Sequence, residues 1–381
     1  MRTIVSGMPA SSTNRLAPGR RAVVTALATS PEEALAAGLQ LEAQPAPDPS
    51  TLAPDEVLIA VRSAAVGWVD LLMTSGQYQH VPRPPYTPGI EFAGEVVATG
   101  AAVERAVLGV QVIADGLLTG PRSLGEHRTF GGFASYAVAP LAAVIPLPGG
   151  LSLDAGACLL GGYETAYHAL VQRARVLPGE HVLVLGATGS TGLAAVQLAK
   201  LLGATVIAVG RSADKLEVAR AQGADHALHT GADGSRPLRD ELKALTGGRG
   251  VDVVFDAVGG ALSTEALRGA AFGARFVVVG WASTPLVGRG GRDPNMLPTN
   301  LILMKGIDVL GSPAAIAVHR DPALRADRLA RILAWAHEGR LHPLVSQVFE
   351  FKALDEALRA KWDSRYPGNI VVRPEHADPP A

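Results

Sequence analysis

One stretch of this chain limits its fold more than any other, the apolar run HVLVLG (181–186) followed by ATGSTG and a helical pattern that ends at Gly203. Gly186, Gly189 and Gly192 give the spacing G-x-x-G-x-x-G where a strand meets a helix. In such a turn one glycine allows the tight bend, one lets the backbone approach a pyrophosphate, and one lets the helix pack closely on the strand. The helix N-terminus also offers free N–H groups and a positive dipole to phosphates. An ordinary tight turn can carry the same glycines, but the strand–turn–helix context predicts a dinucleotide site.

The end of the second strand, TVIAVG (205–210), indicates which dinucleotide is bound. An NAD site places Asp or Glu there for the ribose 2′-hydroxyl, whereas this chain has Arg211 and Ser212, with Lys215 close behind. Cations bind a 2′-phosphate that a carboxylate would repel. Solvated loop cations would look the same in a sequence, but the missing acid favours NADP(H). The predicted cofactor contacts in this part of the chain are Gly186, Thr188, Gly189, Ser190, Thr191, Gly192, Arg211, Ser212, Lys215 and Gly280.

Residues 151–315 alternate continuous apolar runs with helical stretches. Fully apolar strands separated by helices predict a parallel sheet covered on both faces. Six such runs are what a doubly wound Rossmann domain requires. The runs are 181–186, 205–210, 226–229, 251–256, 275–280 and 307–311. One intervening helix has readable ends, because Pro237 suits its first turn and Gly247 stops it.

The flanking segments 20–150 and 316–374 have a different pattern, in which short apolar runs are cut by Pro and Gly. This pattern indicates a mostly β structure, such as a partly open barrel. The later segment begins with a predicted helix at 323–339, and β-rich runs at 344–351 and 369–374 then flank a second predicted helix near 353–363. We therefore expect the Rossmann domain to be inserted into a mostly β substrate domain. Residues 1–19 and 375–381 are predicted to be flexible tails.

Composition limits the classes of partner. A net charge of −1 without a run of like charges argues against a nucleic acid or an anionic membrane surface. Cys158 is the only cysteine, so no intramolecular disulfide can form, which fits a reducing compartment. The chain has neither the apolar core of a signal peptide nor a run of about 18 apolar residues. We expect a cytoplasmic protein that acts on a small molecule.

Several blocks in order resemble the medium-chain dehydrogenase/reductase superfamily, and within it the zinc-independent quinone oxidoreductase-like branch. The blocks are VGWVDLLMTSGQY (66–78), PGIEFAGEV (88–96), GGFASYAV (131–138), the strand–loop–helix of 181–212 and LPTNLILMKGIDVLGS (297–312). The resemblance covers nearly all of 20–373. It implies a GroES-like, partly open barrel around the Rossmann domain, and an NADPH-dependent oxidoreductase.

The resemblance also indicates whether the chain binds a catalytic zinc ion. Zinc members carry a Cys in the segment that matches 66–70, and a His before the Glu of the segment that matches 89–91; here Gly67 and Ile90 stand at those positions. A catalytic zinc needs three protein ligands and an open position. The histidines of the chain are scattered, so we expect no metal site. Relatives of the quinone oxidoreductase type often have Asn, near the nicotinamide ribose, where this chain has Gly67.

Three further residues take roles from the resemblance. Tyr78 matches a tyrosine beside the nicotinamide, and it is either a proton donor or only part of the cleft wall, since a phenol is a donor at neutral pH. Thr165 matches a threonine that contacts the nicotinamide, or else it caps its helix. Trp68 lies either in the wall of the substrate cleft or in the core. His127, in an insertion-like loop at 117–132, is a further candidate acid.

Without a Lewis acid, conjugated acceptors are easier to reduce than ordinary ketones, because the charge spreads into an enolate or phenolate. We therefore predict hydride transfer from NADPH to a quinone or an α,β-unsaturated carbonyl. The alternatives are a 2-enoyl-thioester (enoyl-CoA or ACP) reductase and a non-catalytic NADPH-binding protein, as some crystallins of this branch are. The block 297–312 resembles the edge-forming part of the family's cofactor sheet, and an unpaired apolar edge favours a homodimer.

Overall fold

The computed structural model describes residues 16–231, 236–283 and 295–376. The strands are β1 Gly19–Val23, β2 Gln40–Gln44, β3 Glu56–Ala65, β4 Phe92–Thr99, β5 Gln111–Ala114, β6 Tyr136–Pro140, β7 Val144–Pro146, β8 His181–Leu185, β9 Thr205–Gly210, β10 His226–His229, β11 Val251–Asp256, β12 Ala270–Val278, β13 Asp308–Gly311, β14 Val345–Glu350 and β15 Asn369–Arg373. The helices are α1 Pro31–Ala37, α2 Trp68–Thr74, α3 Leu153–Ala157, α4 Leu160–Tyr167, α5 Ser190–Leu201, α6 Ala213–Ala221, α7 Arg239–Leu245, α8 Ala261–Gly269, α9 Thr299–Lys305, α10 Ala314–Arg320, α11 Ala326–His337 and α12 Leu354–Trp362.

Six parallel strands form the cofactor sheet in the order β10-β9-β8-β11-β12-β13. Alternate residues of the central strands enter two separate cores: Val182 and Val184 of β8 face α5, while Leu183 and Leu185 face α7 and α8. Burial on both faces explains why these strands are apolar throughout. The strand order reverses between β8 and β11, where a doubly wound sheet binds its ligand. The predicted Rossmann domain is confirmed.

The remaining long strands form a second sheet in the order β14-β15-β3-β4-β5-β7, with β6 paired to β3. Its pairs are antiparallel apart from β14 and β15, which run parallel. Alternate residues of β3, among them Val57, Ile59 and Val61, face one core together with α12, while Leu58 and Ala60 face a second, smaller core. This is the partly open barrel that the short, turn-punctuated runs predict. We call it the barrel domain.

The core on the α5 face of the cofactor sheet includes residues beyond position 316. Ile332 and Ala336 of α11, and Leu341 after it, belong to the core on the α5 face of the cofactor sheet. The same core contains Ile113 of β5, so the two domains share it, and the limits 151–315 stay a prediction. At the predicted tails, Ala17 is buried and His376 donates a hydrogen bond to the carbonyl of Val61 (2.7 Å). The outer parts of both tails, 1–15 and 377–381, lie outside the described residues.

A buried ion-pair network joins the two domains. Arg325 contacts Asp115 of the barrel domain and donates to Glu164 of α4 (Nε–Oε2 2.8 Å), and Arg328 donates to the same carboxylate (2.9 Å). All four side chains are buried. Burial alone would raise the pKa of Glu164, but the hydrogen bonds and charges of the two arginines outweigh it and hold that pKa below its usual value. Removing one partner of such a network typically costs about 3–5 kcal/mol, because a charge stays buried alone.

No helix in the described ranges is both long and apolar enough to cross a membrane.

Candidate cofactor and substrate site

The glycine turn after β8 has the geometry that its sequence predicts. Gly186 has φ +70°, in the left-handed region that favours glycine. A Cβ added to Gly192 would lie 2.1 Å from the carbonyl oxygen of Gly186, so only glycine lets α5 pack this closely on the turn. Gly189 is different, since a Cβ there would meet only that same oxygen at 3.6 Å. The turn therefore has no space for a side chain at Gly192 but has space for one at Gly189.

The first turn of α5 presents unused hydrogen-bond donors. Gly189 is the N-cap and has no side chain to satisfy them. The amides of Ser190, Thr191 and Gly192 find no backbone acceptor in the part of the chain that the structure describes. Free amides at the positive end of a helix are the usual partners of a phosphate group. The predicted loop residues, including Thr188, are therefore gathered around an anion-binding geometry.

The end of β9 lies beside this turn. A Cβ on Gly210 would be 3.2 Å from Cγ2 of Thr188, which shows how closely the second strand end approaches the first turn. Arg211 is exposed there, and its carbonyl accepts a hydrogen bond from His229 Nε2 (2.9 Å). Lys215 is half-buried and donates to the carbonyl of Ser364, in the barrel domain. Burial, followed by the charge of Arg211, lowers the pKa of Lys215.

Ser212 and Gly280 complete the predicted set at this edge of the sheet. Ser212 is the N-cap of α6. Gly280 follows β12, and its amide donates to the carbonyl of Asp256, the last residue of β11 (3.2 Å). Both therefore lie at carboxyl ends of parallel strands, which is the edge where the glycine turn is found. Of the loop at 281–298, residues 284–294 lie outside the described residues.

Thr165 does not cap a helix. It lies inside α4, half-exposed between the buried Glu164 and Ala166. The same helix approaches α5 through Gly162, where a Cβ would be 3.6 Å from the carbonyl oxygen of Ser190. Thr165 is one turn further along α4, which continues into a π-helical turn at His168–Arg173. Such turns recur at functional sites.

Two carboxylates near the ligand positions of the zinc enzymes have structural contacts. Asp70 accepts hydrogen bonds from the amides of Gly67 (2.9 Å), Gly89 (3.2 Å) and Ile90 (3.1 Å). Burial raises the pKa of Asp70 to about 7. Glu91 accepts a hydrogen bond from the amide of Gly161 in α4 (2.5 Å). The bonds to Asp70 lie within the barrel domain, and the bond to Glu91 holds this domain against α4. Within the described ranges no three His, Cys, Asp or Glu side chains are grouped to hold a metal ion.

Tyr78 and Trp68 have separate surroundings. Tyr78 is half-buried, and its hydroxyl shares a hydrogen bond with the side chain of Gln79. Burial raises the pKa of Tyr78, and the charge of Arg122 opposes this effect. The structure places Trp68 against the barrel core, stacked on Trp362 at 5.0 Å between ring centroids.

The loop that carries Arg122 also holds His127. Its Nε2 pairs with Glu56 Oε1 at the start of β3 (2.8 Å). This contact anchors the exposed half of the loop to the barrel domain. The first half, from Thr119 to Ser123, is buried instead.

Two residues at the site lie where sequence patterns give no signal. Lys361, near the end of α12, donates to Ser190 Oγ (2.6 Å) and to the carbonyl of Gly368 (3.3 Å). The amide of Gly368 donates to the carbonyl of Thr188 (2.8 Å). The barrel domain therefore contacts the glycine turn directly. In sequence, Lys361 is an ordinary cation at the end of a helix.

Two family profiles match the chain: the alcohol dehydrogenase GroES-like domain over residues 53–149 and zinc-binding dehydrogenase over residues 190–318. A quinone oxidoreductase-like protein 2 from Mus musculus is 32% identical over 325 residues, covering 85% of this chain and 86% of its own length. The protein of the same name from Bos taurus is 33% identical with the same coverage. Among solved structures, an NAD-dependent alcohol dehydrogenase superposes with a TM-score of 0.76 at 29% identity, covering 93% of this chain and 99% of that one.

Proposed function

Because this chain belongs to the medium-chain dehydrogenase/reductase superfamily, in its quinone oxidoreductase-like branch, we propose that it is an oxidoreductase which uses NADPH to reduce quinones or α,β-unsaturated carbonyl compounds without a metal. The observation that carries this proposal is the turn after β8, whose free amides in α5 fit a pyrophosphate. Arg211 stands where an NAD site would have an acid. One similar solved structure is an NAD-dependent enzyme, so the comparisons do not decide between NAD and NADP. The preference for NADPH therefore rests on the residues after β9.

The cofactor preference can be tested at Arg211. A charge-assisted hydrogen bond to a phosphate contributes about 1.5–3 kcal/mol, and 1.4 kcal/mol is a factor of ten. Arg211→Ala should therefore weaken NADPH binding by about 10–100-fold and change NADH binding little. Fluorescence titration of both nucleotides measures this. Arg249→Ala, which removes an exposed arginine before β11, is the matched control. Equal losses for NADPH and NADH would rule out a contact with the 2′-phosphate.

The proposed metal independence rests on two positions where the zinc enzymes have ligands. Gly67 and Ile90 have no donor atoms, and a Cβ on Gly67 would already lie 3.1 Å from Asp70 Oδ2. We expect elemental analysis to find no stoichiometric zinc, and phenanthroline to leave turnover unchanged. A zinc-dependent alcohol dehydrogenase treated in parallel shows that the chelator works. A tightly held zinc whose removal stops turnover would contradict the proposal.

In the proposed reaction the nicotinamide, when bound, supplies a hydride to the β-carbon of the acceptor. The free amides of α5 and the crowded turn behind Gly192 hold the dinucleotide at a fixed position. Thr165 lies on the helix that packs beside that turn. Tyr78, kept protonated by burial, donates its proton to the enolate that forms, and solvent restores it. The products are the saturated carbonyl compound and NADP⁺.

A side-by-side assay distinguishes the candidate functions. NADPH consumption is followed with phenanthrenequinone, with an enone and with crotonyl-CoA. Turnover of the first two and slow turnover of the thioester support the proposal. Preference for crotonyl-CoA would indicate an enoyl-thioester reductase. NADPH binding without turnover of any acceptor would indicate a non-catalytic protein.

We also propose a homodimer formed through the β13 edge of the cofactor sheet. Beside this edge lie exposed apolar side chains: Phe272 and Leu303 are 84% and 80% exposed, and Met304 and Val309 are exposed as well. An apolar sheet edge of this kind is protected when a second subunit pairs with it.

Val309→Asp should convert the dimer to a monomer at micromolar concentration, because it places a charge on the shared edge. Analytical ultracentrifugation measures the mass. Leu177→Asp, on an exposed leucine before β8, should remain dimeric. A parent protein that sediments only as a monomer would contradict the proposed dimer.

A further inference from the structure

Arg122 is a buried cation with an unused donor. Arg122 is 9% exposed, and its Nε makes no hydrogen bond with any described residue. No carboxylate within the described ranges forms an ion pair with it. A buried guanidinium costs several kcal/mol in solvation unless a partner offsets that cost. Asp115 pairs with Arg325, and Glu91 accepts from Gly161 and interacts with Arg122 through charge without forming an ion pair at contact distance.

Further unused polar atoms surround this arginine. Ser123 Oγ, His319 Nε2 and His80 Nε2 are buried and make no hydrogen bond with any described residue. The rings of His80 and His319 meet edge to face at 5.2 Å. Burial, followed by the charge of His80, lowers the pKa of His319, whose ring also bonds to the backbone of Arg122. The segment after Tyr78, the 117–132 loop and α10 therefore each contribute unpaired polar atoms near the positive charge of Arg122.

This cluster lies beside the proposed reaction centre. The guanidinium lies over Gly116, after β5, where an added Cβ would meet Nη2 at 3.4 Å. The charge of Arg122 acts on the pKa of both Tyr78 and Glu91. A group bound at Arg122 would thus be part of a molecule that also reaches the phenol of Tyr78.

We propose that Arg122 binds a carboxylate of the substrate, so that the physiological acceptor is an α,β-unsaturated carbonyl compound that carries an acid group. This inference rests on the proposed reductase function. The planar guanidinium matches a carboxylate in a bidentate arrangement, and Ser123 and the two histidines supply the remaining donors. A site built to pair with a charge discriminates strongly against an analogue that lacks it.

The test compares acetylacrylate with its neutral methyl ester. Arg122→Met should lower kcat/KM for the acid by about 100-fold, mostly through KM, and change the value for the ester by less than about threefold. Arg122→Lys should recover part of the loss. Arg128→Met, an exposed arginine of the same loop, is the matched control. Equal losses on acid and ester would overturn the inference, because Arg122 would then act on the enolate oxygen or only on the structure.

A binding measurement separates this inference from the proposed function. In calorimetry with NADP⁺ present, the parent should bind the reaction product levulinate, and Arg122→Met should not. This measurement detects binding only, so it tests the inference even if the protein turns over no acceptor. Thermal unfolding of Arg122→Met should stay at or above that of the parent, because the variant no longer buries an unpaired charge. A parent that binds levulinate no better than its methyl ester would refute the inference and leave the reductase function standing.

Discussion

Tyr78→Phe should lower kcat for enone reduction by about 10²–10⁴-fold, the range typical of a lost general acid. NADPH affinity should hardly change, because the ring remains. The loss should be smaller with quinones, since their reduced oxygens take protons from water. The hydroxyl removed is a neutral donor across the physiological range, because burial raises the pKa of Tyr78.

The measurement is single-turnover NADPH oxidation, with NADPD as a second reductant to show that hydride transfer limits the rate. Tyr136→Phe is the matched control, because that tyrosine is buried in β6, belongs to a separate small core and has its ring against His376. If Tyr78→Phe keeps full activity on an enone under these conditions, Tyr78 only lines the cleft.

Gly192→Ala should weaken NADPH binding by about 100-fold or more, since at least two charge-assisted bonds from the first turn of α5 would be misplaced. The added methyl group would lie 2.1 Å from the backbone oxygen of Gly186, which cannot rotate away as a side chain can. The helix must shift instead. Overpacking of this kind also costs about 1–3 kcal/mol of folding free energy.

Gly189→Ser separates the two effects. The Cβ at this position has room, and Ser is a preferred N-cap, so the melting temperature should be kept or raised. Its hydroxyl would compete with the phosphates for the amides, so NADPH affinity should still fall. Calorimetry of binding and thermal unfolding on both variants give the comparison. Gly192→Ala with the melting temperature and NADPH affinity of the parent would contradict the proposed role of the turn.

Local sequence was sufficient to predict those structural features that depend on a few neighbouring residues. The six strands of the cofactor sheet follow from continuous apolar runs, because both faces of that sheet are covered. The helix α7 ends before Gly247, which has φ +62° as a stop signal requires. The tight turn at Gly186 and the close packing at Gly192 follow from spacing alone.

The contacts that join the domains could not be predicted in this way. Ser190 and Lys361 are 171 residues apart, and Glu164 and Arg325 are 161 apart. No periodicity connects such positions, since their approach depends on how the barrel domain packs on the cofactor sheet. The same holds for the position of α11, whose amphipathic pattern predicts a helix but not the core that it joins.

The sequence by itself therefore determined the doubly wound fold, the glycine turn and the absence of an acid after β9, because each depends on residues that are neighbours along the chain. Tertiary structure alone decided that Trp68 faces Trp362, that His127 pairs with Glu56, and that Nε of the buried Arg122 has no hydrogen-bond partner among the described residues. The physical reason is that burial and pairing of a side chain are set by whatever the folded chain brings to it, and in this protein those partners come from distant segments.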